Sequence, residues 1–493
     1  MVGKHISIFF ITLILILGTS CQRAKTGAST EVDPVLQVVE KYLDLEGENG
    51  FSGAVLVKTA TSGPLVKAYG LANDELDIPN SPDVVFSIGS LAKQFTGAAI
   101  LKLQMLGKLN IMDSLGKFIP GLNSDLSSIT LHQLLTHTSG LPADMGTLNE
   151  VITREDFLAR LQETAIPAAN RDRYLYSHTG YNLLAILIER ISGEDYESFL
   201  SQHLFKPAGM KHTGYRIPDW ASAAVAHGYS FCNDWGRPMD SGWLDDGPSW
   251  NRRGSGAMLS TLNDLYAWHL ALLGNEILDA QSKDQYYHPA PTVQINEVST
   301  MGYGWRIIQS SRKTEVIAHN GWNGRFYADF LRYTTEGVTI ILLSNRFRNG
   351  NENMPFEIAK CIFRQPYEPV LMGRKTECLD SLPSNRIGRL ANDFLVLMSN
   401  GSKADFQRFI KDDIASHLIN KYSNQALMDS LQSLQRKSGP VKIKQLRLFD
   451  NRILTLDVLQ LNDSREASFR LFYDENDNYK IRGISYTGPE DRY

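Results

Sequence analysis

The chain's 493 residues are enough for two or three structural units, and its composition is that of an ordinary globular protein. A net charge of −4 offers no electrostatic footprint for nucleic acid. No repeat period and no long low-complexity stretch interrupts it.

The N-terminus reads as an export signal. Lys4 and His5 precede the apolar run Ile6–Leu17, too short for a span of ~20 residues but suited to a secretory signal peptide. The segment ends in GTSC, and small residues directly before Cys21 resemble a bacterial lipoprotein processing site, although Gly18 stands where that pattern prefers leucine. The expectation is a signal over 1–21, lipidation of Cys21, and a tether over 22–33. The partner implied is a membrane, reached through the lipid, with a periplasmic or outer-membrane location in a bacterial envelope. Without Cys21, three scattered cysteines remain, Cys232, Cys361 and Cys378. An odd set gives no disulfide framework, so buried free thiols are favoured over one bridge.

Residues 51–58 and 64–70 read as strands joined across TATSG, a hairpin. An amphipathic helix follows, because Phe95, Ala99, Leu103 and Leu106 fall on one face and Gly107 can cap it in the left-handed conformation. From about 110 to 290 the pattern is mainly helical, with examples in DFLARLQETA, YNLLAILIERISG and NDLYAWHLALLG. Strand character returns at 314–319, 326–333 and 338–345. Early and late strands together predict one antiparallel sheet, with the helical middle as an inserted lobe. Beyond about Tyr367 the texture changes: 386–400 and 402–419 look helical, and 441–460, 468–473 and 479–486 look like strands. The fold class expected is α/β (α+β), an antiparallel sheet flanked by helices plus a mainly helical lobe. The domain over 34–367 is followed by a small α+β unit over 380–493.

The helix after the first hairpin begins FSIGSLAKQF, with Ser90 and Lys93 three residues apart. Positions i and i+3 share a face, so hydroxyl and amine can meet. Unpaired backbone N–H groups at a helix start add positive potential beside the hydroxyl. A desolvated lysine can take the proton that makes serine a nucleophile. The spacing alone is weak evidence, since Ser114/Lys117 and Ser310/Lys313 repeat it without a long apolar helix behind them.

A serine–lysine acyl-transfer site also needs a proton relay and oxyanion donors. Tyr176, in a loop before a strongly periodic helix, suits the relay. A nearby ammonium would favour its phenolate, while burial would disfavour the ammonium. Gly321 in VIAHNGWNGRF lets a strand edge come close to a ligand. No HExxH or paired-cysteine pattern occurs, and His132 and His137 do not share a helical face, so neither metal nor cofactor is expected.

FSIGSLAKQFTGAAILKLQMLGKL, ITLHQLLTHTSGLP, YLYSHTGYNLLAILIERISG, LFKPAGMKHTGY, GSGAMLSTLNDLYAW, YGWRI and HNGWNGRF occur in that order. Together they resemble the serine beta-lactamase and penicillin-binding-protein superfamily, in the branch of class C beta-lactamases, D,D-peptidases and related esterases, over about 35–350. The resemblance implies Ser90 as acylated nucleophile, Lys93 as its proton-accepting partner and Tyr176 as general acid/base. It implies His319 and Gly321 as the third motif, with His319 where many beta-lactamases have lysine. The N–H groups of Ser90 and Trp322 would form the oxyanion hole, while Tyr303 and Trp305 would start and pack the strand before it. The second motif departs from Tyr-x-Asn: here it is Tyr176-Ser177-His178. Asparagine can bond both the lysine and an acylamino group, whereas neutral imidazole offers one donor and one acceptor. Tyr422-Ser423-Asn424 has the family's residue types but follows the third motif in the C-terminal unit, which is similar to nuclear-transport-factor-like domains.

The function expected is an exported serine hydrolase acting on an ester, small peptide or amide. The alternatives are a true beta-lactamase or D,D-carboxypeptidase, and a non-catalytic envelope sensor that the retention of Ser90, Lys93 and Tyr176 argues against. The oligomeric state and the role of the C-terminal unit stay open.

Overall fold

The computed structural model describes residues 33–147, 150–230, 233–240, 242–347, 350–369, 376–449, 452–462 and 464–488. The expected leader and Cys21 lie outside these residues, as does Cys232.

An eight-stranded antiparallel sheet organises the larger unit. Its strands are β1 (Gly53–Lys58), β2 (Leu65–Tyr69), β3 (Val293–Asn296), β4 (Ser299–Met301), β5 (Arg306–Gln309), β6 (Glu315–Trp322), β7 (Tyr327–Tyr333) and β8 (Val338–Ser344). They run in the order β3-β4-β5-β6-β7-β8-β1-β2. β1 pairs with β2 as the expected hairpin and with β8, Val55 opposite Leu342, so the two ends of the segment close one sheet. β3, β4 and β5 extend the sheet beyond the strands the sequence indicated.

Period-two alternation sends side chains to two cores. Val55, Val57, Val316, Ala318 and Leu342 pack under helices α1 (Pro34–Glu48) and α6 (Met354–Ile362). Ala54, Leu56, Ile317, Phe330 and Leu343 face the helical lobe and α2 (Ala92–Met105). His319, two residues after Ile317, therefore points toward α2. The lobe contains α3 (Arg154–Glu163), α4 (His178–Ser192) and α5 (Leu262–Leu273).

α2 is not amphipathic in the way its spacing implied. Residues 92–101 are buried on every face, including Lys93, Gln94 and Thr96, and only the last turn reaches the surface. Some of these polar groups are answered locally: Gln94 Oε1 accepts from Trp268 Nε1 at 2.8 Å, and Thr96 Oγ1 donates to the Gly254 carbonyl at 2.7 Å, while Gln94 Nε2 has no partner among the described residues. Gly107 takes φ +69 just past the helix, as expected of its cap.

The C-terminal unit has its own core around Phe394, Leu456 and Phe469. Helices α7 (Arg386–Asn400), α8 (Lys403–Asp413), α9 (Ser416–Lys421) and α10 (Asn424–Ser438) accompany a five-stranded antiparallel meander: β9 (Thr376–Leu379), β10 (Val441–Phe449), β11 (Ile453–Gln460), β12 (Glu466–Asp474) and β13 (Lys480–Thr487). The run 441–460, read as strand, is a hairpin of two. Gln445 Nε2 on β10 donates to Asn233 Oδ1 of the larger unit at 3.2 Å. Cys361 is a buried free thiol as expected, but Cys378 is disulfide-bonded, which corrects the reading of the cysteines as free.

Candidate active site

Ser90 sits in a tight 3₁₀ turn, Gly89–Leu91, that runs directly into α2. Lys93 follows one turn later, so its Nζ lies 3.0 Å from Ser90 Oγ. The same amine donates to the Ser255 carbonyl at 2.7 Å. Burial lowers the Lys93 pKa to about 7, against a smaller opposing effect of the Asp144 charge. Near neutrality roughly half of such amines are unprotonated and able to accept a proton. The Ser114 and Ser310 pairs have no such setting: Lys117 pairs with Asp113 at 2.7 Å, and Lys313 lies in a turn at φ +61.

Tyr176 precedes Ser177, whose hydroxyl caps α4 by accepting from Gly180 N–H at 3.1 Å. Its hydroxyl acts on Ser90, and Lys93 Nζ stands 4.8 Å from its ring centroid. Burial raises the Tyr176 pKa, more than Ser90 lowers it. The expected phenolate is therefore corrected: Tyr176 is a phenol, and Lys93 is the group poised near neutral pH.

β6 brings the His319–Gly321 segment against the turn that holds Ser90. Gly321 has no room for a side chain, because a Cβ there would collide with the Ile88 carbonyl and sit 2.8 Å from Ser90 N. At Gly89, φ +51, a Cβ would lie 2.8 Å from Trp322 N. The backbone nitrogens of Ser90 and Trp322 are thus brought to one place, the arrangement a developing oxyanion needs. The Trp322 side chain itself is exposed. His319 is buried beside Tyr176, ring centroids 6.3 Å apart, and burial with the Lys93 charge lowers its pKa to about 4.

A family model described as Beta-lactamase matches residues 35–359. The chain belongs to the beta-lactamase family. Among curated proteins, Penicillin-binding protein 4* of Bacillus subtilis (strain 168) is 28% identical over 349 residues, spanning 64% of this chain and 74% of that protein. The octameric penicillin-binding protein homologue from Pyrococcus abyssi superposes with a TM-score of 0.59 at 17% identity, over 91% of this chain and all of that one. The D-amino acid amidase from Ochrobactrum anthropi SV3 complexed with L-phenylalanine gives 0.57 at 19%, over 67% and 98%. At these identities the two structures show a shared fold. The family is one of serine hydrolases, and it places this chain among them.

Within that family frame, His178 is the informative position. It opens α4, and its ring stands 5.3 Å from that of Tyr176, edge to face. The Lys93 charge, then burial, lowers its pKa to about 2, so it is neutral at working pH. Its Nδ1 lies 3.9 Å from Asp144 Oδ1. The Ser255 carbonyl, rather than a second-motif amide, takes the second hydrogen bond of Lys93.

Three participants escaped the sequence reading. Ser255 acts through a backbone atom, which no side-chain pattern reveals. His137 stacks between Tyr176 and Tyr181, at 4.5 and 5.0 Å, and its Nδ1 accepts from Ser177 N–H at 3.1 Å. Asp144 stands at the rim. LLTHTSGLP and GSGAMLS, quoted for their family likeness, contained the first two signals. The decoy Tyr422-Ser423-Asn424 is an ordinary helix cap, Ser423 Oγ accepting from Ala426 N–H beside an exposed Tyr422.

Proposed function

We propose that this protein is an exported serine hydrolase that cleaves an ester, small peptide or amide through an acyl-enzyme on Ser90. The observation that carries the reading is the buried Lys93 amine, 3.0 Å from Ser90 Oγ with a pKa of about 7. In its neutral form Lys93 takes the Ser90 proton as Oγ attacks the carbonyl carbon. The N–H groups of Ser90 and Trp322 receive the charge on the carbonyl oxygen. Tyr176 donates its phenolic proton to the leaving group and recovers one from Lys93. In deacylation the order reverses, and water replaces the leaving group. His178, His319 and Gly321 shape the pocket around these atoms.

Export rests on the basic start, the apolar run and Cys21, which would carry the lipid anchor to the membrane. Acylation by beta-lactams is the second reading, favoured by the likeness to a penicillin-binding protein of Bacillus subtilis. The C-terminal unit, nuclear-transport-factor-like in our reading, serves packing or substrate gating.

Intact-mass analysis after exposure to a fluorophosphonate and, separately, to a penicillin tests the reading. The wild type should gain the fluorophosphonate adduct, and Ser90→Ala should gain none. An adduct that persists in the variant would refute Ser90 as nucleophile.

A further inference from the structure

Two arginines, Arg252 in the turn that meets Gly89 and Arg325 beyond Trp322, close no ion pair among the described residues. Arg252 lies in a turn fixed by Ser255 and Gly256 N–H groups donating to its carbonyl at 3.1 and 2.9 Å. The same turn delivers the Ser255 carbonyl to Lys93 and packs Gly256 against the backbone of Gly89. Arg252 Nε and Nη2 are shielded from solvent and have no hydrogen-bond partner. Arg325, three residues past Trp322, is held over the Trp235 ring at 4.1 Å. Neighbouring arginines close ion pairs, as Arg253 does with Asp246 at 2.7 Å, but among the described residues neither Arg252 nor Arg325 does.

A guanidinium that loses water without gaining a partner is costly, and a second positive charge nearby adds to the cost. Burial first, then the Arg325 charge, pulls the Arg252 pKa down to about 10, so both groups remain cations at neutral pH. A planar fork of free donors in such a place matches a carboxylate, which accepts two parallel hydrogen bonds from it. Asp144 shares the rim and feels the Arg252 charge without pairing with it.

Different arginines act on the two flanks of Ser90. The Arg252 charge acts on Asp144 and His178, whereas Arg306 acts on His319 and Tyr174. His178 stands where the family pattern has the asparagine that meets an acylamino group, so the Arg252 charge that acts on it lies on the acyl side. We infer that Arg252, supported by Arg325, binds a carboxylate carried on the acyl portion of the substrate. The substrates are then esters or amides of carboxylate-bearing acids. This rests on the acyl-enzyme reading above.

The test compares kcat/KM for the 4-nitrophenyl hemiester of succinic acid with that for the neutral 4-nitrophenyl butyrate. A third substrate, the acetyl ester of 3-hydroxybenzoic acid, carries its carboxylate on the leaving group. The wild type should prefer the hemiester, and Arg252→Met should lower the hemiester-to-butyrate ratio at least about tenfold, the value of one charge-assisted hydrogen bond. An unchanged ratio would overturn the inference. So would an equal loss of preference for the hydroxybenzoate ester, which would move the anion to the leaving-group side. Should no ester be hydrolysed, the acyl-enzyme reading fails separately, and binding still decides. Glutarate should raise the melting temperature of Ser90→Ala but not of Ser90→Ala/Arg252→Met, and equal shifts in both would refute the site.

Discussion

The imidazole of His137 lies against the ring of Tyr176, centroids 4.5 Å apart and planes inclined by 32°. On its other face it meets Tyr181, and its Nδ1 accepts from the N–H of Ser177, the residue between Tyr176 and α4. Burial holds His137 well below its ordinary pKa, so it stacks as a neutral ring. We expect it to act as a positioning residue that fixes the plane of the phenol beside Ser90. His137 has φ +59, a conformation asparagine tolerates. His137→Asn should therefore fold, yet lose the aromatic pair, worth ~0.5–1.5 kcal/mol. We expect kcat to fall by up to about tenfold with KM little changed. Raised KM at constant kcat would assign His137 to substrate binding instead.

In the proposed mechanism Lys93 sets the pH dependence. Its pKa of about 7 follows mainly from burial, and the base form must be unprotonated to accept the Ser90 proton. The rate constant of acylation should rise about tenfold between pH 6 and pH 8, since the neutral fraction climbs from about one-tenth to about nine-tenths. His178 and His319, at about 2 and about 4, contribute no step in that window. A stopped-flow acylation profile, flat from 6 to 8, would contradict Lys93 as the base.

The same burial makes Lys93 a cost to the fold. Its pKa falls from 10.5 in the unfolded chain to about 7, so between these values the unfolded state binds more protons and stability rises with pH. Below 7 the penalty is complete. Lys93→Met, close in volume and without charge, should be inactive yet more stable at pH 6, by an order of magnitude of ~1–3 kcal/mol. The advantage should shrink as pH climbs toward 10. Denaturant melts at pH 6 and pH 9 measure it, and a variant less stable than wild type at pH 6 would reverse the sign.

What could be read in advance follows from how local each signal was. The Ser90–Lys93 contact is one helical turn and needs only the i, i+3 rule. Strands such as Val338–Ser344 are continuous apolar runs, and their place in one sheet follows from pairing the chain's early and late strands. β3, β4 and β5 are three or four residues each, and strands that short carry too little pattern to register. His137 and Tyr176 are 39 positions apart in sequence and meet only in the tertiary fold, His137 in a left-handed backbone conformation. The pairing of Lys93 with the Ser255 carbonyl is legible in no residue type at all. Conversely, helix α10 did carry apolar spacing in Leu427, Met428, Leu431 and Leu434, but among serines and glutamines it did not stand out.

Gly321 is the narrowest point of the site. Any side chain there would be driven into the Ile88 carbonyl and the Ser90 nitrogen. Gly321→Ala must push β6 away from the nucleophile turn and separate the two oxyanion donors. Losing one such donor typically costs 10²–10³ in kcat, so a fall of about that size is expected. The Lys93–Ser90 pair lies within α2 and its turn, and fluorophosphonate labelling of the variant should slow less than ester turnover. Wild-type kcat in Gly321→Ala would mean that the Trp322 N–H does not serve the oxyanion.

His178 decides between substrate classes. In the family pattern an asparagine amide at this position bonds both the lysine and an acylamino group. Here the Ser255 carbonyl already occupies Lys93, and His178 turns its Nδ1 toward Asp144, 3.9 Å away. Its ring stands edge-on to that of Tyr176, so it packs against that residue and not against the helix behind it alone. A neutral imidazole presents a single donor, where an amide presents two donors and an acceptor. His178→Asn should therefore shift the ratio of kcat/KM from simple esters toward penicillins and cephalosporins. One restored hydrogen bond to a neutral group is worth ~0.5–1.5 kcal/mol, a change of about 2- to 13-fold. Melting temperature should change little, because Ser177 rather than His178 caps α4. Equal selectivity in wild type and variant, measured on both classes, would show that the second motif does not hold the acyl side chain in this enzyme.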